Sequence, residues 1–171
     1  MNIISIDPSI NNTGVAILYN GLRYCTTART KGEFDNELER SSIMAGAVGI
    51  AISNKLGQEF HLCSPIVIIE TPDYWERKKR IASPNNPFGQ EVGVNKKSIM
   101  QLWTTIGAIA TELALCPVVP VPVSKWKGKQ GKISASLFRM LYPQWPAKNE
   151  HERDAAMMLE WWIAKNRIER G

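Results

Sequence analysis

The amino-acid sequence predicts a single α/β domain, residues 1–171, built on a sheet with antiparallel and parallel parts. Three short strand-like segments open the chain, and an Asn20-Gly21 turn between the second and the third is typical of an antiparallel meander. After them, segments with helical periodicity alternate with apolar runs, as they do where a sheet continues with parallel strands. No internal repeat or linker divides the sequence.

The N-terminal segments predict three strands. Residues 2–7 are largely apolar, and the polar stretch PSINN separates them from a second strand over residues 14–19. Because Asn-Gly is the strongest short hairpin signal, a third strand is expected over residues 22–29.

The rest of the chain predicts helices in alternation with strands. Apolar residues recur at threes and fours from Glu33 to Gly57, and PIVIIE is a continuous apolar run of the kind found in a central strand. Residues 71–97 show no periodicity and predict a long irregular segment. The last expected elements are a helix over 98–115, a short strand in PVVPVP, a small helix over 133–141 and a final helix over 150–166.

The composition is that of an ordinary globular protein, with 44% hydrophobic and 22% charged residues. No apolar run approaches the roughly 18 to 20 residues of a membrane span, and the N-terminus resembles a strand rather than an export signal. We therefore expect a cytoplasmic protein with no membrane association. Three widely spaced cysteines, Cys25, Cys63 and Cys116, predict reduced thiols that serve as packing residues.

The net charge of +5 is modest, but the basic residues are concentrated in two segments that also contain tryptophan. Cations among turn-forming and aromatic residues are typical of loops that bind nucleic acid, with a solvated basic loop as the alternative. The first segment contains Trp75 with Arg77, Lys78, Lys79, Arg80, Lys96 and Lys97, and the second contains Trp126 with Lys125, Lys127, Lys129, Lys132 and Arg139.

Two acidic residues end predicted central strands, Asp7 after the first strand and Glu70 after PIVII. A carboxylate at the end of a buried strand is costly unless a partner is held against it. If the two strands are adjacent and parallel, Asp7 and Glu70 converge. The alternative is that each acid merely terminates its strand.

The final helix carries an ionisable pair on its inward face. At 100° per residue, His151 lies on an apolar stripe and Asp154 lies roughly 60° to one side of it, so both are expected to face the protein. A satisfied core histidine is the alternative for His151. The other polar residues are expected to cap the helix or face solvent: Asn149, Glu150, Glu152, Arg153 and Glu160.

Asp7, Glu70, His151 and Asp154 together predict a metal site with catalytic function. Three carboxylates repel one another unless cations lie between them, and oxygen donors of this kind suit Mg²⁺, while a histidine also accommodates Mn²⁺. Two such ions about 3.5 to 4 Å apart would bridge a scissile phosphate. With basic segments nearby, the expected substrate is a polyphosphate.

The order of IDPSxxxTG, an apolar strand ending in Glu, and HxxDAA resembles the RuvC-type Holliday junction resolvases, which are ribonuclease H-like nucleases. The similarity runs in order through almost the whole chain. It implies a ribonuclease H-like fold with a five-stranded mixed sheet flanked by helices, and a homodimer that binds a four-way DNA junction. It also implies paired Mg²⁺-dependent nicks that leave 5′-phosphate and 3′-hydroxyl ends.

The resemblance also assigns residues. The metal-binding positions of the family fall on Asp7, Glu70, His151 and Asp154. The basic segment of the family matches SKWKGKQGK, in which Lys127 and Lys132 are the best candidates for contacts to phosphates. The other expected DNA-binding residues are Lys125, Lys129, Trp126, Arg77, Lys78, Lys79 and Arg80.

Two positions depart from the family pattern. Ser9 stands where the first motif usually has Gly, a change that the turn is expected to tolerate. Asp73 stands where the family has an aromatic residue that wedges into the junction, and Tyr74 and Trp75 follow it. Either ring is a candidate to stack on bases, and the sequence leaves open which of them does so.

Other functions stay open at this point. DPSINNTG also resembles the phosphate-binding hairpin of actin-like ATPases and sugar kinases, but these need a second half to enclose a nucleotide, so no nucleotide cofactor is expected. An inert junction-binding protein would not need four converging ionisable groups, whereas a related nuclease on flaps or RNA–DNA hybrids would use the same chemistry. A dimer is supported only weakly by the stripe of the second helix, Ile99, Leu102, Trp103, Ile106 and Ala110.

Overall fold

The structure is a computed structural model that describes residues 2–32, 34–73, 79–83, 86–92, 96–127 and 133–166, with the backbone alone described at 79–83, 86–92 and 96. The strands are β1 (Ile3–Asp7), β2 (Asn12–Tyr19), β3 (Leu22–Arg29), β4 (Ile66–Thr71), β5 (Lys79–Ser83), β6 (Asn86–Val92) and β7 (Val118–Pro122). The helices are α1 (Glu37–Leu56), α2 (Lys96–Glu112), α3 (Val123–Trp126), α4 (Ala135–Leu141) and α5 (Glu150–Lys165), and a 3-10 turn covers Phe60–Cys63.

Within these residues, five strands form one mixed sheet in the order β3-β2-β1-β4-β7. Strand β2 is antiparallel to β1 and β3, whereas β4 is parallel to β1 and to β7. Asn20 and Gly21 join β2 to β3 with φ values of 49° and 80°, the positive values that a type I′ turn requires. The predicted meander and its parallel continuation are therefore confirmed.

Residues 71–97 are not irregular throughout, so that prediction is wrong in part. Strands β5 and β6 pair antiparallel, with Ser83 opposite Asn86. The pattern missed this hairpin because KRIAS and NPFGQEV do not alternate between polar and apolar residues, and because Pro87 and Gly89 are uncommon within strands.

Helices cover each face of the sheet. Helices α1 and α2 pack on one face against alternate strand residues, including Ile4 and Ile6 of β1. Helix α5 covers the other face together with Phe138 of α4, and there it packs against Ile3 and Ile68. Among the helices that the structure describes, none is long and apolar enough to cross a membrane.

The thiols follow the prediction in part. All three are free, Cys116 is buried and Cys25 is half-buried. Cys63 is exposed at the end of the 3-10 turn, where its Sγ lies 3.2 Å from the hydroxyl of Tyr19. A packing role is therefore wrong for Cys63, because the turn that carries it lies on the surface.

Two buried carboxylates hold α5 in place, although Glu152 and Glu160 were expected to face away from the protein. Glu152 accepts a 2.6 Å hydrogen bond from the hydroxyl of Thr27 on β3. Glu160 accepts a 2.9 Å hydrogen bond from the indole of Trp145, in the segment before α5. Helical periodicity did not reveal these positions because their partners lie outside the helix, in β3 and in the segment before α5.

Helix α5 approaches the sheet very closely at Gly14 of β2. A Cβ atom on Gly14 would lie 2.2 Å from the carbonyl oxygen of His151 and 2.8 Å from the backbone nitrogen of Glu152. Gly14 also pairs with Asp7 in the ladder between β1 and β2. The absence of a side chain at Gly14 therefore allows the first turn of α5 to lie beside Asp7.

Gly14→Ala is expected to destabilise the protein by about 3 kcal/mol, because the new methyl group overlaps backbone atoms of α5 that have no flexible route away. Gly46→Ala is the matched control. A Cβ at Gly46 in α1 meets nothing within 4 Å, and alanine favours a helix over glycine by up to about 1 kcal/mol. Urea unfolding of both variants checks the prediction, and equal stability of the two would contradict the close approach of α5.

Candidate active site

Strands β1 and β4 place two carboxylates side by side. They are parallel, with Ile6 opposite Ile69, so the next residues along each strand are Asp7 and Glu70. Side chains alternate between the two faces of a strand. Glu70 lies two residues after Ile68 and Asp7 lies four residues after Ile3, and both of these isoleucines face α5. The sheet register therefore brings Asp7 and Glu70 to the same edge and the same face.

Helix α5 adds the other two predicted groups. His151 Nδ1 lies 2.8 Å from Asp7 Oδ2, and Asp154 is buried one turn further along the helix. The Nδ1 atom of His151 is satisfied by Asp7, but the side chain is 36% exposed, so His151 is not a core histidine. All four predicted groups thus lie at one end of α5.

The ammonium group of Lys127 lies among these acids. Its Nζ atom is 2.5 Å from Asp154 Oδ2 and 3.9 Å from Glu70 Oε2. Lys127 directly follows α3, whose Trp126 is buried in the core, so its backbone is held at the edge of the site. The side chain was expected to contact phosphate, whereas in this structure it pairs with two carboxylates.

Burial and mutual repulsion dominate the ionisation of the acids. Burial raises the pKa of Glu70 to about 7, and the negative charge of Asp7 adds to this while Lys127 opposes it. Burial also raises the pKa of Asp7, although its hydrogen bond to His151 acts in the opposite direction. Both carboxylates are therefore easier to protonate than in water, as expected where like charges lack sufficient compensation.

The acids raise the pKa values of the two basic groups, His151 and Lys127. The hydrogen bond to Asp7 raises the pKa of His151, and this effect outweighs its burial. Burial lowers the pKa of Lys127, but the hydrogen bond to Asp154 and the charges of Glu70, Asp154 and Asp7 raise it above its ordinary value. Lys127 is thus a protonated cation in the site.

The residues present fit a divalent cation, although their present arrangement is not a formed metal site. Among the residues that the structure describes, no three His, Cys, Asp or Glu side chains form a group able to hold a metal ion. Glu70 Oε2 is buried and accepts no hydrogen bond within the described ranges, and its ion pair with the Lys127 ammonium is long, at 3.9 Å. Three carboxylates and an imidazole are donors that Mg²⁺ or Mn²⁺ accepts.

The loop after Asp7 is closed by the threonine of the first motif. The Thr13 hydroxyl donates to the carbonyl oxygen of Ser9 at 3.0 Å and accepts from the Ser9 backbone nitrogen at 3.2 Å. Ser9 does not take a positive φ, so glycine is not required at this position. The departure from the family pattern at Ser9 therefore introduces no backbone strain.

The predicted DNA-binding residues fall into three groups. Lys125 is exposed on α3, beside the site, whereas Trp126 is 9% exposed and packs in the core. The expectation that Trp126 stacks on DNA is incompatible with this position, because the apolar core under α5 covers its ring. Lys79 and Arg80 lie in β5, where only the backbone is described. Outside the described residues lie Tyr74, Trp75, Arg77, Lys78, Lys129 and Lys132.

Asp73 has a structural contact at the position where the family has its aromatic wedge. Its Oδ1 atom accepts a 3.1 Å hydrogen bond from the backbone nitrogen of Ser124 in the first turn of α3. This bond links the end of β4 to the helix that precedes Lys127. Asp73 thus helps to place the lysine rather than to contact a base.

Asn149 caps α5 as the sequence predicted, but sequence reasoning missed the further hydrogen bonds that make this cap a polar anchor next to His151. The side-chain oxygen of Asn149 accepts from the Glu152 backbone nitrogen, and its amide donates to Thr27 Oγ1 at 2.6 Å and to Glu152 Oε1 at 3.0 Å. Glu152 Oε2 accepts from the Lys148 backbone nitrogen at 2.6 Å. The cap itself was predicted from Asn149 at the start of the helix, but nothing in the sequence indicated Thr27 as a partner.

Two solved structures of RuvC from Thermus thermophilus are similar to this chain. The first, T. thermophilus RuvC in complex with Holliday junction substrate, is 14% identical with a TM-score of 0.57, covering 99% of this chain and 97% of that one. The second, Thermus thermophilus RuvC, is 15% identical with a TM-score of 0.51 and covers 97% of each chain.

No protein-family model matches the sequence, and no curated protein matches it. Similarity at this low identity establishes the fold. The five-stranded mixed sheet with flanking helices agrees with that comparison, and the fold predicted from the sequence is confirmed. The chain therefore has the RuvC fold, of the ribonuclease H-like type, over almost its entire length.

Proposed function

We propose that the protein is an endonuclease that resolves four-way DNA junctions by hydrolysing phosphodiester bonds, leaving 5′-phosphate and 3′-hydroxyl ends. The observation that carries this proposal is the convergence of Asp7, Glu70 and Asp154 at one edge of a sheet with the RuvC fold. A similar RuvC structure is in complex with a Holliday junction substrate, which supports branched DNA as the substrate class.

The proposed chemistry uses two divalent ions, Mg²⁺ or Mn²⁺, with Asp7, Glu70, Asp154 and His151 as the ligand set. When bound, such ions would polarise the scissile phosphate and supply an activated water. His151 shares a hydrogen bond with Asp7, and its partly exposed ring is able to hold or release a proton toward the substrate. Exposed Lys125 supplies positive charge for a neighbouring phosphate.

The proposal includes a homodimer. A four-way junction has two-fold symmetry, so paired symmetric nicks need two symmetric sites. In the predicted stripe of α2, Ile106 is buried and Leu102 packs against the core, so these two residues are not available to a partner. Trp103 of the same stripe is 42% exposed, and together with Met100, which is 63% exposed, it supplies an apolar surface for a second copy.

Asp7→Asn is expected to reduce junction cleavage at least about 100-fold, because it removes a charge that the metal ligand set needs. Junction binding should be unchanged or tighter, since negative charge beside a phosphate is lost. Labelled four-way junction and matched linear duplex, with Mg²⁺ or EDTA, are resolved on a denaturing gel, and Glu59→Gln, an exposed acid, serves as the control.

Cleavage by Asp7→Asn at the wild-type rate would show that the site is wrongly assigned. Symmetric nicks in the junction alone support the resolvase. Preferential cutting of a flap or an RNA–DNA hybrid would instead favour the related nuclease, which uses the same residues on a different substrate. Tight junction binding with no cleavage under any divalent ion would favour an inert junction-binding protein.

Glu70→Gln is expected to stabilise the metal-free protein at neutral pH. The pKa of Glu70 rises from 4.5 to about 7 on folding, so the folded state binds this proton more tightly than the unfolded state. Stability is therefore lost as pH rises through this interval, by on the order of 3 kcal/mol in full. Glutamine does not ionise and avoids the loss.

Urea unfolding in EDTA at about pH 5 and about pH 8 measures this effect. The advantage of Glu70→Gln over the wild type should be small at the lower pH and large at the higher pH. An advantage that is equal at the two pH values would mean that Glu70 does not carry the ionisation penalty.

Trp103→Glu is expected to convert the proposed dimer into a monomer, because it places a charge in an apolar contact. Light scattering after size exclusion gives the mass of each variant. Met140→Glu, on the exposed side of α4, is the control and should leave the mass unchanged. A wild-type protein that is monomeric while it cuts both strands symmetrically would contradict the dimer.

A further inference from the structure

The Lys127 ammonium lies where a metal ion would bind, between two of the acids. The ammonium contacts the carboxylates of Asp154 and Glu70 at 2.5 and 3.9 Å. These are the oxygen atoms that a divalent ion would need. In this structure, the position of a cation between the two acids is thus held by the side chain of Lys127.

The backbone of Lys127 is held in place by its neighbours in α3. Its backbone nitrogen donates to the carbonyl oxygen of Val123 at 3.0 Å, and Asp73 caps the same helix. Trp126 is buried beside it, and the Lys127 Nζ atom lies 4.9 Å from the centre of the indole ring. The backbone is therefore fixed, and only the flexible stem of the lysine is free to redirect the ammonium.

The charge balance of the site favours a cation at this position at all times. Asp7, Glu70 and Asp154 repel one another, and His151, the other basic group that the described residues place at the site, is engaged with Asp7. If Lys127 leaves the two acids, another cation has to replace it. The ammonium and a metal ion therefore compete for the same oxygen atoms.

We propose that Lys127 couples DNA binding to metal binding. In the DNA-free protein it occupies the acids and keeps metal affinity low. A DNA phosphate at the rim of the site offers the ammonium a new partner, so that Asp154 and Glu70 become available to the metal. This inference rests on the proposed function, and it adds that the substrate completes the metal site.

The coupling between DNA binding and metal binding is reciprocal, and both directions are measurable. If DNA raises the affinity for metal by some factor, metal raises the affinity for DNA by the same factor. Removal of the ammonium should abolish the competition and with it most of the coupling. A residue that contacted phosphate alone would show the opposite pattern, with an effect on DNA affinity and none on the metal affinity of the free protein.

The experiment measures Mn²⁺ binding to the DNA-free protein by electron paramagnetic resonance of the free ion. Lys127→Met is expected to bind Mn²⁺ about tenfold more tightly than the wild type. Lys127→Arg, which keeps a cation, should resemble the wild type. Lys55→Met removes an equal charge from the exposed last turn of α1, where no role is assigned, and should change the affinity less than about twofold.

A second titration is made in the presence of a four-way junction. It is kept on ice and is completed while a gel still shows intact strands. The Mn²⁺ that the junction binds alone is subtracted. The junction should tighten Mn²⁺ binding to the wild type about tenfold and to Lys127→Met less than about twofold. Equal Mn²⁺ affinity of DNA-free wild type and Lys127→Met would overturn the proposal, and so would equal tightening by the junction.

These outcomes separate the inference from the proposed function. A protein that cuts junctions but whose metal affinity is insensitive to Lys127 retains the nuclease and loses the coupling. If the wild type cuts no DNA but Lys127→Met binds Mn²⁺ more tightly than the wild type, the competition between lysine and metal is supported and the nuclease function is contradicted. Thermal unfolding of each variant confirms that it is folded, and a folded Lys127→Arg with the affinity of Lys127→Met would also overturn the proposal.

Discussion

Repulsion among three carboxylates at one edge of the sheet is the constraint on which the site depends. The parallel register of β1 and β4 places Asp7 beside Glu70, and α5 brings Asp154 to the same place. Acids that are buried together need cations, and the described part of the chain supplies His151 for Asp7 and Lys127 for the others. The arrangement is costly for a fold alone, which is typical of residues placed for function.

The constraint extends into the scaffold, because the acids meet only if α5 lies close to the sheet. Gly14 permits that approach, since any side chain there would overlap the backbone of His151. Buried Glu152 and Glu160 then fasten the helix at its two ends through hydrogen bonds to Thr27 and Trp145. Both of these buried acids accept hydrogen bonds and act as anchors, in contrast to Glu70, whose Oε2 atom accepts no hydrogen bond among the described residues and has the Lys127 ammonium 3.9 Å away.

Lys127 connects the acids of the site to the basic segment around α3. Lys127 is held by α3, which Asp73 caps and Trp126 anchors in the core. The same basic segment that suggested DNA binding therefore contributes exposed Lys125 and, two residues later, Lys127 inside the candidate active site. An ammonium that is able to exchange carboxylates for phosphate would link the two roles.

The sequence by itself determined the α/β class, the meander and the positions of the acids, because alternation, helical periodicity and the Asn-Gly turn are local signals. It also indicated that His151 and Asp154 face inward, since one helix carries both. Only the tertiary structure decided the partner of Lys127 and the burial of Trp126. Those depend on contacts between residues far apart in the chain, and neither composition nor spacing records which distant side chain will neutralise a buried charge.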